Sequence, residues 1–448
     1  MKISFLDDEP EIFPMQYGGK ARTIINIAKT FSALAGVDKV SILSRSIRAK
    51  KKDVIWRGIN FKKITGYGIV RDILDEISEC DIMNVHTCSF TMPFVGGGEG
   101  AKLVNHLHDV VFATSDSGSH LDKAMGNQWS AIISPSEFAT TTLSNISWWS
   151  NLKDSIYTIP RGVDLKMFFP VKKKLIDKRF SKFKRSFPVL FFPNRYDANK
   201  GELFLSELGE MLVKKHPNVL ILTTNDVDDN TRNDGVIRNV GWISSKDMKF
   251  YYSLSDIVLN LSISPESFSQ VAIESIACGT PVVCFKFGNL KKLSEKIPSI
   301  KSCEPNKDDL YNTINMILEG GASGDIEIGQ SMGIINKDYN LKLICQNYIA
   351  VYKKILKSKE MPFMLAVKSE MCKKRFAVSP LIAVYNYNVY LNNNGSLLKF
   401  TLNELEKNIL YYCSIVKTKD EVLTEFKNNR DIHKALDRLS DKNILIKV

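Results

Sequence analysis

The sequence predicts an α/β protein: two successive parallel, doubly wound halves facing a cleft, followed by a smaller α+β piece. Three observations carry this reading. Short apolar strands alternate with helix-length segments in two separate series, as parallel sheets require. A break at Pro160-Arg161-Gly162-Val163-Asp164, followed by a basic run, separates the two series. Beyond about residue 360 the pattern changes to hairpins and short helices.

In the first series, Lys2 to Leu6 reads as a strand. A polar loop ending in Tyr17-Gly18-Gly19 leads into a helix from Lys20 to Leu34. Val40 to Leu43, Asp81 to Val85, Leu103 to Leu107, Ala131 to Ile133 and Ile156 to Ile159 read as further buried strands. In such sheets ligands bind beyond the carboxyl ends of the strands. Gly18, Gly19, His86, His108 and Asp109 all fall at strand ends, so one crevice could hold them. Paired glycines before a helix allow close backbone approach and aim N–H groups at an anion; alone, they fit an ordinary tight turn equally well.

The second series opens at Phe187-Pro188 with a strand from Val189 to Phe192. A loop carrying Arg195 and Lys200 leads into a helix running to Val213. Two fixed cations beside a helix N-terminus suit a diphosphate. Strands at Val219 to Leu222, Val236 to Val240 and Ile257 to Leu261 follow, with a helix from Lys246 to Leu254 between the last two. Next comes Pro265-Glu266-Ser267-Phe268-Ser269-Gln270-Val271-Ala272-Ile273-Glu274, then a helix to Cys278, a stop at Gly279 and a buried strand at Val282-Val283. Glu274 lies in an apolar helical run, where a lone charge is costly. Its partner should therefore come from another domain or from a ligand. Helices from about Asp308 to Ile317 and from Leu341 to Leu356 are expected to close this half.

Bulk properties agree. The 448 residues are enough for two or three domains, and 44% hydrophobic with 25% charged content is that of a soluble globular chain. No apolar run reaches membrane-span length, and the start lacks a signal-peptide pattern. The eight cysteines include no C-x-x-C pair and read as reduced thiols, so a cytoplasmic protein is expected. The net charge of +12 is partly clustered at Arg48 to Lys52 and from Lys172 to Arg185. Two readings stand: an anionic membrane surface or phosphate-rich substrate, or a solvated linker or helix face.

Taken together, these motifs resemble the retaining glycosyltransferases of the GT-B fold, the group 1 or polysaccharide-type family, over roughly residues 1 to 357. The most specific part is the Glu266/Glu274 pair followed by Ala277-Cys278-Gly279-Thr280-Pro281-Val282-Val283. Tyr17-Gly18-Gly19, His108-Asp109, Ile159 to Asp164 with Phe169-Pro170, and Arg195 to Lys200-Gly201 support it. The resemblance implies an N-terminal Rossmann-like acceptor domain (1–165), a basic linker (166–186) and a Rossmann-like nucleotide-sugar donor domain (187–358).

It also implies roles. Glu274 would accept hydrogen bonds from ribose hydroxyls, and Glu266 would bind the donor sugar. Arg195 and Lys200 would hold the diphosphate of a UDP or GDP sugar. Gly18 and Gly19 would offer backbone N–H groups, and His108 would stand near the sugar and phosphate. No metal or other cofactor is expected, because these groups could stabilise the leaving diphosphate themselves. The family often has glycine on each side of the aromatic Phe268; here Ser267 and Ser269 stand instead, narrowing backbone access but adding hydroxyl donors, and the resemblance implies that Ser267, Phe268 and Ser269 help to bind the donor. His86 matches a strand-end histidine of the family, while His106 reads as structural. Asp226-Val227-Asp228 is a D-x-D without matching context. A nucleotide-sugar epimerase, a phosphorylase and a non-catalytic sugar-nucleotide binder are the alternatives.

Residues 360–448 read as a winged-helix-like accessory domain. Strands at Pro380 to Tyr385, Asn388 to Leu391 and Ser396 to Phe400 are predicted, the last two joined by the turn Asn392-Asn393-Asn394-Gly395. A capping box at Thr401-Leu402-Asn403-Glu404 opens a helix. Helices near Lys419 to Phe426 and Asp431 to Ser440, and a short strand at Ile444-Leu445-Ile446, complete it. This pattern resembles the peptide-recognition modules of ribosomal-peptide modifying enzymes, which bind a leader peptide by strand addition. The resemblance implies a precursor peptide as acceptor; a glycan or lipid-linked acceptor and a purely structural appendage are the other readings. Nucleic acid is not expected, since the last helix lacks a basic stripe.

Overall fold

Apolar residues at every position of short β-branched runs call for strands covered on both faces. A computed structural model of the chain bears this out. It describes residues 1–7, 19–44, 53–64, 69–86, 101–108, 129–144, 154–183, 186–194, 198–224, 235–358, 375–378, 382–385, 388–393, 396–412, 417–427, 429–441 and 445–447. Gly18, Asp109, Arg195, the Asp226–Asp228 motif and the Arg48–Lys52 knot lie outside the described residues.

The first sheet contains β1 (Lys2–Asp7), β2 (Lys39–Ser44), β3 (Asp53–Trp56), β4 (Ile59–Lys63), β5 (Ile82–Val85), β6 (Lys102–His106), β7 (Ala131–Ser134) and β8 (Ile156–Thr158). Its order is β3-β4-β2-β1-β5-β6-β7-β8, parallel except for the β3–β4 hairpin, which the strand reading missed. The second sheet contains β9 (Val189–Phe192), β10 (Leu220–Thr223), β11 (Ile237–Asn239), β12 (Ile257–Asn260), β13 (Val282–Phe285) and β14 (Ile300–Cys303). Its order, β11-β10-β9-β12-β13-β14, is the doubly wound Rossmann order. The strand order reverses beside β1 and β5 in one sheet, and beside β9 and β12 in the other. A ligand crevice is expected at those two points.

The helices are α1 (Gly19–Phe31), α2 (Ile69–Glu79), α3 (Glu137–Ser144), α4 (Lys173–Arg179), α5 (Phe204–Lys215), α6 (Met248–Leu254), α7 (Gln270–Ala277), α8 (Gly288–Lys296), α9 (Lys307–Glu319), α10 (Gly321–Asp338) and α11 (Leu341–Lys357). Two placements differ from expectation. The 166–186 segment is not a free linker: α4 and the turn after it bury Ile176, Phe180 and Phe183 in the core of the second half. Its aromatics supply the burial, while Lys172, Lys173, Lys174 and Lys178 stay exposed on the outer face. Helix α11 does not close the second half. Its apolar face (Leu341, Ile344, Cys345, Tyr348, Tyr352) joins Phe5, Phe31 and the first-half core. The chain crosses back where Val163 and Asn340 pair. At that point a Cβ on Gly162 would lie 2.5 Å from the Leu341 Cα.

The described part of the C-terminal region contains two small antiparallel sheets. β16 (Ile382–Tyr385), β17 (Asn388–Asn393) and β18 (Ser396–Thr401) form a meander, close to the predicted hairpin. The other sheet, not foreseen, places β15 (Arg375–Val378) between β19 (Lys417–Thr418) and β20 (Leu445–Lys447). Helices α12 (Glu404–Tyr412), α13 (Lys419–Glu425) and α14 (Ile432–Asp441) gather Leu402, Ile409, Val422, Ile432, Leu436 and Leu439 into one core. The capping box lies two residues later than expected. Asn403 Oδ1 accepts from the Glu406 N–H, and Glu406 Oε2 accepts from the Asn403 N–H, both at 2.9 Å.

Candidate active site

The loop after β9 leads into α5 through a tight turn at Gly201 (φ +79°), which only glycine adopts readily. A Cβ there would lie 2.1 Å from the Leu261 carbonyl oxygen. This close approach places Lys200 beside the loop after β12, and its Nζ meets Glu266 Oε1 at 2.7 Å. Gly288 (φ +53°) fixes the other side: a Cβ there would lie 2.7 Å from the Glu266 nitrogen. Asn289 N–H donates to the Glu266 carbonyl at 2.9 Å. Two glycines thus allow the backbone to hold an acid and a base side by side, both partly accessible. Gly201→Ala is expected to lower stability by at least about 1–2 kcal/mol from its left-handed backbone alone. It should also weaken nucleotide binding, measured by calorimetry beside a melting curve; an unchanged affinity would detach this turn from the site.

Glu274, on α7, finds its partners within the protein. Arg22 of α1, in the other half, meets its Oε1 at 2.9 Å, and the Tyr252 hydroxyl donates to Oε2 at 3.1 Å. The expectation that ribose alone would satisfy it is corrected, and the alternative of a partner from the other domain holds. Glu274 is 2% exposed. Burial raises its carboxyl above the usual range, opposed by Arg22 and by the Tyr252 hydrogen bond. The two contacts use only part of the acceptor capacity of a carboxylate. Arg22 was not singled out in the sequence, where a helix-face arginine carries no distinguishing signal.

Between these acids, Ser269 caps α7. Its hydroxyl accepts from the Ala272 N–H at 3.3 Å and from Asn260 Nδ2 at 2.6 Å. The serine that replaces the family's glycine therefore serves the helix start. Ser267 offers its carbonyl to Ser136 Oγ at 2.7 Å, a second link between the halves. Phe268 is 7% exposed and packs in the second-half core, 6.1 Å from the Tyr339 ring. Its side chain is therefore core, and only its backbone could meet a donor.

On the first half, Gly19 opens α1, and Lys20 pairs with the buried Asp7 at 2.7 Å. His86, next to Asp7 across β1 and β5, and His108, just past β6, are joined: His86 Nδ1 lies 2.8 Å from His108 Nε2. Arg161 Nη2 lies 2.8 Å from His108 Nδ1 and donates to its carbonyl at 3.2 Å. His106 stacks on His86 at 4.3 Å, and its Nε2 meets Asn84 Oδ1 at 2.8 Å. Asn84 Oδ1 also takes the Tyr352 hydroxyl at 2.6 Å. Burial pushes all three imidazoles below their usual range, His106 to about 3. His86, expected with His108 at the strand ends, is thus linked directly to it. Among the described residues no cluster of three or more His, Cys, Asp or Glu could hold a metal ion.

Residues 174–323 match the family model described as glycosyl transferases group 1. The matched stretch is about a third of the chain and contains Lys200, Glu266 and Glu274. The D-inositol 3-phosphate glycosyltransferase of Pseudarthrobacter chlorophenolicus is 28% identical over 152 residues, 31% of this chain and 36% of that protein. The chain thus matches about a third of that curated relative's length. Among solved structures, HepE of Anabaena in complex with UDP shares 17% identity, with a TM-score of 0.64 over 79% of this chain and 100% of that one. Sucrose-phosphate synthase of Thermosynechococcus elongatus shares 18%, with a TM-score of 0.63 over 79% of this chain and 98% of its own. At such identities the likeness is one of fold: two parallel-sheet domains as in GT-B glycosyltransferases.

Proposed function

We propose that the protein is a retaining, metal-independent glycosyltransferase that moves a sugar from a nucleotide-diphosphate donor. The observation that carries this is the Lys200–Glu266 pair, built by two close glycine approaches beside the second sheet's switch point. On this reading Lys200, with Arg195, neutralises the charge developing on the leaving diphosphate. Preorganised charge of this kind stabilises a transition state without reorganisation. Glu266 orients sugar hydroxyls, and Glu274 keeps acceptor capacity for a ribose. Gly19 opens α1, where backbone N–H groups suit a phosphate, and Gly18 precedes it in the sequence. On this reading His108 would meet the donor from the first half.

A UDP sugar is the donor we favour, because HepE, the fold neighbour, has been solved with UDP and with UDP-glucose. For the acceptor we favour a peptide recruited by residues 360–448. Support comes from the β16-β17-β18 meander with α12 to α14, which leaves β16 and β18 at the sheet edges among the described residues. A glycan or lipid-linked acceptor is favoured instead by the exposed lysines of α4, which suit an anionic surface. No described helix is long and apolar enough to cross a membrane.

The test is incubation with UDP-glucose and GDP-mannose carrying a labelled sugar, with released nucleotide measured. Release of UDP, with the anomeric configuration kept in the product, is expected. Binding without release of either nucleotide would favour a non-catalytic sugar-nucleotide binder.

A further inference from the structure

Arginine has N–H donors and no acceptor, and it stays protonated in proteins. Where Arg161 meets His108 Nδ1, that nitrogen must accept. A neutral His108 then carries its proton on Nε2, the atom facing His86 Nδ1. His86 Nδ1 must therefore accept as well, and the His86 proton lies on Nε2. That nitrogen is buried and has no hydrogen-bond partner among the described residues. Reversing the order would require the guanidinium to accept, which it cannot do.

We propose that Arg161 is a positioning residue that imposes one proton order, Arg161 to His108 to His86, and adds to burial in keeping both imidazoles neutral. The proposal rests on the sugar-transfer reading only for the identity of the neighbouring ligand. A diphosphate nearby would otherwise draw a proton onto a histidine, since an opposite charge favours the charged form. The groups facing the pair set the balance. Lys20 comes from α1, with Asp7 bonded to it at the end of β1. Arg161 follows β8, His106 ends β6, and Tyr348 of α11 stacks on His106 at 5.4 Å. Burial acts most strongly against protonation, and His106, Lys20 and Arg161 add to it. With both ring nitrogens of His108 engaged, its imidazole serves as a fixed neutral dipole rather than as a general acid.

Long-range ¹⁵N–¹H spectra of the full chain, with the histidine ring nitrogens assigned, test the proton order directly. The expected result at pH 7 is an unprotonated Nδ1 and a protonated Nε2 on both His108 and His86. A proton on His108 Nδ1, or a cationic ring, would overturn it. This measurement needs no variant and no substrate, so it stands even if the transferase reading fails. The second arm is Arg161→Met, with Arg161→Lys as the conservative variant. In Arg161→Met the His108 titration should move upward from the parent's, with burial still holding it below the ordinary range, and Nδ1 becomes able to carry the proton. Arg161→Lys, which keeps a cationic donor, should hold the parent's proton order. If Arg161→Met keeps both the parent's titration and its proton order, Arg161 does not set the protonation.

Discussion

Lys200→Ala is expected to lower donor turnover by about 10²–10³-fold while the protein stays folded, the usual cost of removing one preorganised charge-stabilising group. The geometry explains why both halves of that statement go together. Lys200 is about a quarter exposed and pairs with Glu266, which keeps some access to solvent at 13%. A partly solvated pair of this kind contributes little to stability, so its loss should barely move a melting curve. As the glycosidic bond breaks, the leaving diphosphate gains one further negative charge, and the same ammonium would attract it with little reorganisation. The measurement is steady-state release of UDP from UDP-glucose, beside calorimetric unfolding of both proteins. A fall in kcat with KM nearly unchanged would place Lys200 in the transition state. Activity equal to the parent's would remove Lys200 from the site and the proposal with it.

Acid should unfold the protein unusually early. His86, His106 and His108 are all buried and held neutral, with their values in the folded chain below the ordinary 6.5. The unfolded chain takes up those protons as pH falls through 6.5, and the folded chain does not. Stability is therefore fully present above that value and is lost as pH falls. Each such group contributes a slope of about 1.4 kcal/mol per pH unit, so three together approach about 4 kcal/mol per unit. Glu274 and Asp256 act in the opposite direction, because burial raises their carboxyls and the folded chain then binds more protons. Their effect starts at the raised values of the folded chain, above the ordinary carboxylate range, and is complete once pH has fallen through that range, so it offsets part of the histidine slope in between. With a total stability on the order of 5–15 kcal/mol, unfolding close to pH 5 is expected. Urea midpoints measured at half-unit steps from pH 8 to 5 would show it. A midpoint that stays flat to pH 5 would falsify the neutral, buried state of this cluster.

The legibility of this protein divides along sequence distance. The two parallel sheets were visible because each strand carries its own apolar run between turn signals, and period and length need no distant partner. Lys200, Glu266 and Glu274 stood out for the same reason: each is a polar residue in a local setting that does not explain it. The arrangement of their partners was not visible. Lys200 and Glu266 lie 66 residues apart, and Arg161 and His108 lie 53 apart. Nothing in the helical run of α1 sets Arg22 apart from any surface arginine until the two halves meet. The serines beside Phe268 pass for ligand contacts in sequence, because a hydroxyl that caps a helix and one that binds a sugar look alike there. The lysines of the 166–186 segment suggest a linker. Its phenylalanines place it in the core, because about 1.5–3 kcal/mol per buried aromatic outweighs solvating lysines that can stay exposed anyway.

By itself, the sequence determined the α/β class, the break between the halves and the acid–base types of the second-half site. These depend on local periodicity and composition. Only the tertiary structure decided that Glu274 is held by Arg22 across the cleft, that α11 returns to the first half, and that Arg161, His108 and His86 form one ordered chain. Such pairings are set by which surfaces pack together. The requirement that a buried charge or N–H find a partner says that one must exist, and only the packed fold says which.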